Sequence, residues 1–201
     1  MSTVYGIYGA SGFGKEVLPL VKEQFGCESK IVFVDDGDVP NELLGCDILN
    51  FEQFLNLEGQ KKVTIAIANS KIREKLTLKC LENGIQIFDI KASNSVMLED
   101  VSIGEGSILC PFVTLTSDII IGKSFQANIY SYVAHDCVIG DFVTFAPAVK
   151  CNGNVHIGDY AYIGTGAIIH QGKPNKPLKI GKGAVIAAGA VVTKSVPDGI
   201  W

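Results

Sequence analysis

An apolar residue recurs every six positions between Met97 and Val192, and every third repeat pairs an isoleucine with a glycine. The Ile-Gly pairs begin at Ile103, Ile121, Ile139, Ile157 and, after a longer gap, Ile180. An α-helix has a period near 3.6 residues and a lone β-strand a period of 2, so neither explains the pattern. A period of six is typical of a parallel β-helix, in which three short strands make one triangular coil.

The residues four positions after each member of this row are mostly small or β-branched, so they fit beside it in a narrow interior. They are Val101, Ser107, Val113, Ser131, Val143, Val149, Val155, Ala161, Ala167, Ala184 and Ala190. We therefore predict a β-helix domain over residues 91–201, with 91–96 as the connection into its coils. The segment 170–179 adds five residues, with two prolines, a glycine and three lysines, and predicts an exposed loop at a coil corner. Whether that loop is functional or a simple elaboration stays open.

Residues 1–90 follow the alternation of strands and helices that is typical of a small parallel, Rossmann-like sheet. Strands are predicted at 4–8, 30–34, 63–68 and 85–90, and helices at 15–25, 51–57 and 71–82. Pro19 is poorly suited to the interior of the first helix. The chain is thus predicted to have two domains, 1–90 and 91–201.

Composition limits the possible partners and compartments. The net charge of −4 argues against nucleic acid and against an anionic membrane as the main partner. The chain has no apolar run of eighteen residues, and its first residues lack the pattern of a signal peptide. Six cysteines without a CxxC pair indicate reduced thiols rather than disulfides or zinc ligands. A cytoplasmic protein is expected.

The segment Gly9-x-x-Gly12-x-Gly14 lies between a predicted strand and a predicted helix. Glycines at such a turn let the backbone approach a phosphate, and the helix N-terminus offers free N–H groups. Asp35 and Asp36 follow at a distance where an acidic group can bind ribose hydroxyls. The spacing differs from the dinucleotide fingerprint, which favours a mononucleotide or nucleotide sugar over NAD. A tight turn without any ligand is the alternative.

His135 lies two positions after interior Val133, at a coil corner, and Asp136 follows it. An exposed imidazole beside a carboxylate suits a general base that works near neutral pH. A surface histidine on a turn is the alternative. Gly153 lies one coil away at the same corner, where its N–H could donate to an oxyanion.

Other corner residues suggest a groove and argue against a metal. Thr165 and Ala188 share one corner row once the insertion is subtracted, and small side chains there leave room for a long thin ligand. His156 and His170 occupy different phases of the repeat from His135. The three histidines therefore do not align as zinc ligands, and no metal is expected.

The chain resembles the NeuD/PglD-like bacterial sugar O-/N-acyltransferases, the nucleotide-amino-sugar N-acetyltransferase group of the hexapeptide-repeat superfamily. The resemblance covers nearly the whole chain and rests on five segments in order. These are Gly9-Ala-Ser-Gly-Phe-Gly-Lys15, Phe33-Val-Asp-Asp36, Ala66-Ile-Ala-Asn69, His135-Asp-Cys-Val-Ile-Gly140 and Lys150-Cys-Asn-Gly-Asn-Val155. It implies a left-handed β-helix, a homotrimer, and acetyl-CoA held in the groove between neighbouring β-helices.

The resemblance also implies roles for individual residues. His135 becomes the general base, Asp136 the group that raises its basicity, and Asn128 an active-site asparagine. The implied coenzyme contacts are Thr144, Gly153, Thr165 and Ala188. The implied nucleotide-sugar pocket consists of Ser11, Gly12, Phe13, Asp35, Asp36, Ala68 and Asn69.

Three positions depart from the family pattern. Phe13 stands where many relatives have histidine, which changes a contact to sugar or phosphate. Asp136 replaces a common glutamate and is shorter. Relatives usually continue beyond Trp201 with a Gly-Asn-Pro-Ala-like tail, so part of the coenzyme pocket is expected to involve residues that this sequence does not include.

The predicted function is acetyl-CoA-dependent N-acetylation of a nucleotide-linked amino sugar, with a UDP-linked 4-amino sugar as the expected acceptor. The implied pathway is surface polysaccharide biosynthesis or protein glycosylation. Two alternatives stay open. The acceptor could be a sialic-acid-like hydroxyl, or the chain could be a non-catalytic β-helix that binds a nucleotide sugar. The sequence also leaves open whether the site lies within one subunit or between two.

Overall fold

The computed structural model describes residues 3–201, which fold into two compact units that meet in sequence between Ile90 and Lys91. Met1 and Ser2, the start of the segment inspected for a signal peptide, lie outside the described residues. Within residues 3–201, no helix combines the length and the apolar character needed to span a bilayer.

The first unit is a small sheet covered by helices. Its elements are β1 Thr3–Tyr8, α1 Gly12–Phe25, β2 Lys30–Val34, β3 Glu42–Leu43, β4 Cys46–Leu49, α2 Phe51–Leu55, β5 Gln60–Ile65, α3 Ser70–Glu82 and β6 Gln86–Ile87. The strand order is β3-β4-β2-β1-β5-β6. From β1 the chain moves to β2 on one side and to β5 on the other. The carboxyl end of β1 is therefore a topological switch point, where open α/β sheets bind ligands.

The sheet is mixed rather than purely parallel, because β3 pairs with β4 in antiparallel fashion. Leu44 and Gly45 form the two-residue turn between them, with φ angles of 51° and 76°. Two positive φ angles are required by the type I′ turn that suits a short hairpin. The sequence analysis missed this hairpin because Leu-Gly lacks the usual Asn-Gly signal.

Helix α1 begins at Gly12, earlier than predicted, and continues through Pro19 to Phe25. Gly14, predicted to belong to the turn, is therefore helical. A Cβ atom at Gly14 would collide with the carbonyl oxygen of Gly9. Glycine is therefore required at position 14 because the backbone of Gly9 approaches it closely.

The second unit is a three-sided β-helix built from parallel strands. Face 1 comprises Ile90–Lys91, Ile108–Leu109, Gln126–Ala127, Thr144–Phe145, Tyr162–Ile163 and Val185–Ile186. Face 2 comprises Val96–Met97, Thr114–Leu115, Tyr132–Val133, Lys150–Cys151, Ile168–Ile169 and Val191–Val192. Face 3 comprises Val101–Ile103, Ile119–Ile121, Cys137–Ile139, Val155–Ile157 and Leu178–Ile180.

Strand register reproduces the eighteen-residue repeat. Ile121 pairs with Ile103 and Ile139, and Ile157 pairs with Ile139 and Ile180, so the isoleucines form one stack. The periodic side chains from Leu109 to Val192 are buried, as predicted, whereas Met97 and Ile103 are half-buried. The fold prediction, an α/β domain followed by a left-handed β-helix, is confirmed.

Two corners of the β-helix matter for the site. The segments between face 1 and face 2 form what we term the Asn128 corner: 110–113, 128–131, 146–149, 164–167 and 187–190. The segments between face 2 and face 3 form the His135 corner: 116–118, 134–136, 152–154, 170–177 and 193–195.

Candidate active site

His135 and Asp136 are an exposed hydrogen-bonded pair on the His135 corner. Nδ1 of His135 lies 2.6 Å from Oδ2 of Asp136, and the two side chains are 66% and 57% exposed. Asp136 has a φ of 59°, a left-handed conformation that aspartate tolerates and that turns the chain at the corner. The hydrogen bond that the Asp136 carboxylate accepts raises the pKa of His135 above its ordinary value. With Nδ1 engaged in this hydrogen bond, Nε2 is the ring nitrogen that remains available for a proton.

Gly153 packs directly against the imidazole ring of His135. A Cβ atom at this position would lie 2.6 Å from both Cε1 and Nε2 of the ring, so any larger residue would displace the imidazole. In residues 3–201 the structure records no acceptor for the Gly153 N–H. The corner therefore places an imidazole beside an N–H group that can donate to a negatively charged oxygen, and the roles assigned to His135 and Gly153 stay predictions.

A cavity of about 690 Å³ opens beside His135. It is lined by His135, Asp136, Gly153, Asn154, His156, Gln171, Gly172, Pro174, Asn175 and Pro177. The inserted loop thus forms one wall of the cavity.

Asn154 holds this loop in place, and sequence reasoning did not single it out. Its Nδ2 donates to the carbonyl oxygen of Lys173 at 2.7 Å, and its backbone N–H donates to the carbonyl oxygen of His135 at 2.8 Å. Gly172 N–H also donates to the carbonyl oxygen of Gly153 at 2.9 Å. The eighteen-residue repeat could have indicated this residue, because Asn154 follows Asp136 by eighteen positions and therefore lies one coil above it.

Asn128 lies on a different corner from His135. Its Nδ2 donates to the carbonyl oxygen of Phe145 at 2.9 Å, a bond that links one coil to the next. Within one chain, the structure does not bring these two predicted catalytic side chains together.

The other predicted coenzyme contacts are also away from His135. Thr165 and Ala188 are exposed and stacked one coil apart on the Asn128 corner, where Gly189 N–H donates to the carbonyl oxygen of Thr165 at 2.8 Å. Thr144 belongs to face 1 and is only 1% exposed. The predicted site residues of the second unit therefore divide between two corners and one face.

In the first unit, the predicted pocket residues follow the carboxyl ends of β1, β2 and β5. Ser11 is the N-cap residue of α1, but its hydroxyl makes no cap hydrogen bond. Ser11 and Gly12 are exposed and Phe13 is half-buried. A Cβ atom at Gly12 would meet no atom within 4 Å. This start of α1 is open to a ligand, and its first turn carries no acidic residue.

The two aspartates make hydrogen bonds within the protein. Asp35 accepts from the backbone N–H of Ala10 at 2.9 Å and that of Gly37 at 3.0 Å, which fixes the turn after β1. Asp36 accepts from Tyr8 Oη at 2.5 Å, Lys79 Nζ at 2.8 Å and the N–H of Phe51 at 2.8 Å. Asp36 therefore joins three elements of the first unit.

The electrostatics of this cluster favour ionised Asp36. Partial burial opposes ionisation, but the hydrogen bonds from Lys79, Tyr8 and the Phe51 N–H outweigh it and lower the pKa of Asp36. Burial, together with the neighbouring Asp36 carboxylate, raises the pKa of Tyr8 far above its ordinary value. Lys79 also lies 4.0 Å from the ring centroid of Phe51. No motif links Tyr8 and Lys79, so sequence reasoning missed them.

The loop after β5 is positioned by a buried arginine. Arg73 has no exposed surface, and its Nη1 donates to the carbonyl oxygens of Ile67 at 2.7 Å and Ala68 at 3.0 Å. Burial lowers the pKa of Arg73 to about 9. Asn69 Oδ1 accepts from the N–H groups of Lys71 and Ile72 and so caps α3, while Ala68 stays exposed.

Residues 3–201 contain no cluster of side chains suited to a metal ion.

Comparison with known proteins identifies the family. The family described as the PglD N-terminal domain matches residues 6–80. GDP-perosamine N-acetyltransferase from Escherichia coli O157:H7 is 50% identical over 202 residues, which cover 98% of this chain and 91% of that protein. This chain belongs to the NeuD/PglD-like sugar acyltransferases.

Solved structures of NeuD/PglD-like proteins share the fold over nearly their full length. WeeI from Acinetobacter baumannii AYE is 59% identical, with a TM-score of 0.96 over 98% of this chain and 95% of that one. The acetyltransferase domain of PglB from Neisseria gonorrhoeae FA1090, in complex with acetyl coenzyme A, is 27% identical, with a TM-score of 0.88 over 99% and 95% of the two chains. The predictions of the family and of the acyltransferase class are confirmed, as is that of acetyl-CoA as the co-substrate of such enzymes.

Proposed function

We propose that this protein transfers the acetyl group of acetyl-CoA to the amino group of a GDP-linked amino sugar, with GDP-perosamine as the first candidate. The observation that carries the proposal is the 50% identity to a GDP-perosamine N-acetyltransferase over 91% of that protein. A guanosine nucleotide therefore replaces the uridine nucleotide expected from the sequence as the leading candidate. A UDP-linked 4-amino sugar remains the comparison substrate.

The arrangement at the His135 corner supports a direct transfer. The neutral amine attacks the thioester carbonyl carbon, and the carbonyl oxygen takes up the negative charge of the tetrahedral intermediate. Gly153 N–H donates to this oxygen, and Nε2 of His135 accepts the proton that the amine loses. The intermediate then collapses, the C–S bond breaks, and the CoA sulfur leaves as a thiolate that takes up a proton.

Asp136 has two effects in this scheme. Its hydrogen bond orients the imidazole with Nδ1–H towards the carboxylate, and its charge stabilises the imidazolium that forms. Positioning of the amine matters at least as much as the base, because a deprotonated amine is already a good nucleophile.

We assign nucleotide-sugar binding to the first unit. The open start of α1 at Ser11, Gly12 and Phe13 lies at the switch point of the sheet, where backbone N–H groups suit a diphosphate. Asp35 and Ala68 line the neighbouring turns. Asp36 and Asn69 support this pocket chiefly through their bonds to the protein, since their oxygens already accept backbone and side-chain donors.

A homotrimer is part of the proposal, because the predicted site residues occupy two corners of one chain. A threefold arrangement that sets the His135 corner of one copy against the Asn128 corner of the next would unite them. The Asn128 corner carries an apolar surface, with Phe112 and Tyr130 stacked at 4.8 Å and 50% and 59% exposed. Such a patch favours a covering partner. Light scattering coupled to gel filtration should give three times the chain mass.

We also propose a cytoplasmic location, where acetyl-CoA is available. All six cysteines are free thiols, and five of them are buried, as is usual for proteins of a reducing compartment.

The test is release of free thiol from acetyl-CoA, measured against GDP-, UDP- and dTDP-linked 3-amino and 4-amino sugars. Turnover with GDP-perosamine, and formation of its N-acetyl product by mass spectrometry, is the expected result. Turnover only with a UDP-linked sugar would overturn the choice of nucleotide. Acetylation of a sialic-acid hydroxyl, or nucleotide binding without acetyl-CoA binding, would overturn N-acetylation itself.

A further inference from the structure

One backbone position of the β-helix recurs in four successive coils, at the turn from face 2 to face 3. The residue that directly precedes the face 3 strand has a left-handed conformation, with φ between 54° and 59°, at Asp100, Asp118, Asp136 and Asn154. Aspartate and asparagine both tolerate this conformation. The three lower coils carry aspartate, and the coil next to the inserted loop carries asparagine. The backbone conformation alone therefore does not explain the change of residue type.

The side chain of Asn154 donates to the inserted loop. Its Nδ2 lies 2.7 Å from the carbonyl oxygen of Lys173. The same oxygen accepts the N–H of Lys176 at 2.9 Å, which closes the turn of residues 173–176. Both acceptor positions of this carbonyl are thus used. An ionised aspartate has no proton to donate and would set a charged oxygen against the carbonyl oxygen, so the loop explains the asparagine.

The backbone next to this side chain holds both ends of the loop. Gly172 N–H donates to the carbonyl oxygen of Gly153 at 2.9 Å, and Leu178 N–H donates to that of Asn154 at 3.2 Å. A Cβ atom at Gly172 would collide with the carbonyl oxygen of Asn154, so the loop leaves its coil in close contact with this residue. Asn154 therefore fixes the loop at its start, at its turn and at its return.

Asn154 is also bonded to the residue that carries the imidazole. Its N–H donates to the carbonyl oxygen of His135 at 2.8 Å. The preceding residue, Gly153, is the one that packs against the ring of His135. The loop residues Gln171, Gly172, Pro174, Asn175 and Pro177 line the cavity beside that ring, and Asn154 lines it with them. A single residue thus connects the wall of the cavity to the backbone of His135.

We propose that Asn154 is a positioning residue, which holds the inserted loop as a fixed wall of the His135 cavity and keeps Gly153 in place against the imidazole. It acts through the loop and through the corner backbone. A loop that moves away would leave the acceptor amine less well placed before Nε2 of His135, and small displacements of reacting groups are costly. The inference rests on the proposed N-acetyltransferase function and assigns the loop a role in it.

Two variants remove the bond to the loop in different ways. Asn154→Asp keeps the size of the side chain and introduces the residue type of the lower coils, but it offers no donor to Lys173. Asn154→Gly removes the side chain and adopts the left-handed conformation without strain. Hydrogen exchange followed by mass spectrometry should show the amides of segment 171–178 exchanging about fivefold faster in both variants, the size expected for loss of one hydrogen bond. This measurement needs no substrate.

Steady-state kinetics with GDP-perosamine separate positioning from binding and from stability. We expect kcat to fall about tenfold in both variants, with the KM for acetyl-CoA changed by less than about twofold, because the reacting groups are misplaced rather than released. The acidic limb of the kcat/KM profile should stay in place in Asn154→Gly, since that variant retains the His135–Asp136 pair. A purely structural role would lower the melting temperature and leave kcat of the folded protein unchanged.

Asp100→Gly is the matched control, because Asp100 is exposed and has the same backbone conformation three coils below Asn154. It should leave kcat and the exchange of the loop unchanged.

Unchanged exchange of the loop, or unchanged kcat, in both Asn154 variants would overturn the inference. A raised KM for the nucleotide sugar with unchanged exchange would also overturn it, since Asn154 would then be a substrate contact. Loss of kcat in Asn154→Asp alone would assign the effect to the added charge beside Asp136 and not to the loop. Absence of turnover in the wild type would overturn the proposed function, while the exchange comparison would still decide whether Asn154 holds the loop.

Discussion

The turn after β2 and the His135 corner both place an acidic side chain beside a candidate ligand site, but the two carboxylates differ in what surrounds them. Asp36 accepts three hydrogen bonds, from Tyr8, Lys79 and the Phe51 N–H. Asp136 is hydrogen-bonded to His135 at the exposed surface. A carboxylate that already satisfies several protein donors stabilises the fold, whereas one that engages only an exposed imidazole can act on the chemistry of that imidazole.

The largest effect should come from removing the base at the exposed corner. His135→Ala is expected to lower the rate about 10²–10⁴-fold, the usual contribution of a general base. Thiol release under saturating substrates measures this loss. Acetyl-CoA affinity and melting temperature should stay close to wild type, because the side chain is two-thirds exposed. A loss below about tenfold would show that the reaction does not rely on this base.

Displacing the ring should be the next most damaging change. In Gly153→Ala, the added Cβ would lie 2.6 Å from two ring atoms, so the imidazole must move. Misplacement of a reacting group by about 1 Å can cost roughly 100-fold, and we expect a loss in kcat of about 10–100-fold. The double variant His135→Ala/Gly153→Ala serves as the control. If the glycine acts through the ring, its substitution should have much less effect once the ring is absent.

The Asp136→Asn variant tests, through the pH dependence of the rate, whether Asp136 controls the protonation of His135. The hydrogen bond and charge of Asp136 raise the pKa of His135, so the free base becomes available only above a raised pH. The amide removes this effect, and the acidic limb of the kcat/KM profile should move to lower pH. The rate on the plateau should fall roughly tenfold, since the imidazolium loses its partner. An acidic limb that stays in place would mean that it reports a different group.

Asp36→Asn should mainly affect stability. Loss of charge-assisted hydrogen bonds is expected to lower the free energy of unfolding by about 1 kcal/mol, discounted for the partial exposure of the side chain. The pKa of Asp36 is lowered in the folded state, so its contribution is complete above its unfolded pKa of about 4 and is lost as pH falls through the folded value. The gap in melting temperature between wild type and variant should therefore narrow below about pH 4. A raised KM for the nucleotide sugar with unchanged melting would instead make Asp36 a ligand contact.

Several elements were predictable because their signals are local or periodic. The six-residue row defined the coils, and its eighteen-residue repeat gave the register that stacks Ile103, Ile121 and Ile139. The same eighteen-residue spacing places Gly153 one coil above His135. The hairpin at Leu44-Gly45 was not predicted, because its turn lacks the Asn-Gly or Asp-Gly pair that usually indicates a two-residue hairpin turn.

Other features depend on residues far apart in sequence. The Tyr8–Asp36–Lys79 cluster joins the end of β1, the turn after β2 and the last turn of α3, and no spacing rule relates segments so far apart in sequence. The hydrogen bond from Asn154 to Lys173 depends on how the inserted loop folds back on its coil. Both required the packed structure, because long-range hydrogen bonds are set by tertiary geometry.

By itself, the sequence determined the β-helix, the family and the pairing of His135 with Asp136. The period of six residues and the adjacent positions of these two residues are properties of the sequence alone. Only the tertiary structure decided that Asp36 is held by protein donors and that Asn128 and His135 occupy separate corners. It alone showed that the inserted loop forms one wall of the cavity beside His135. The physical reason is that burial, hydrogen-bond satisfaction and the shape of a cavity arise from packing between segments, which no single stretch of sequence contains.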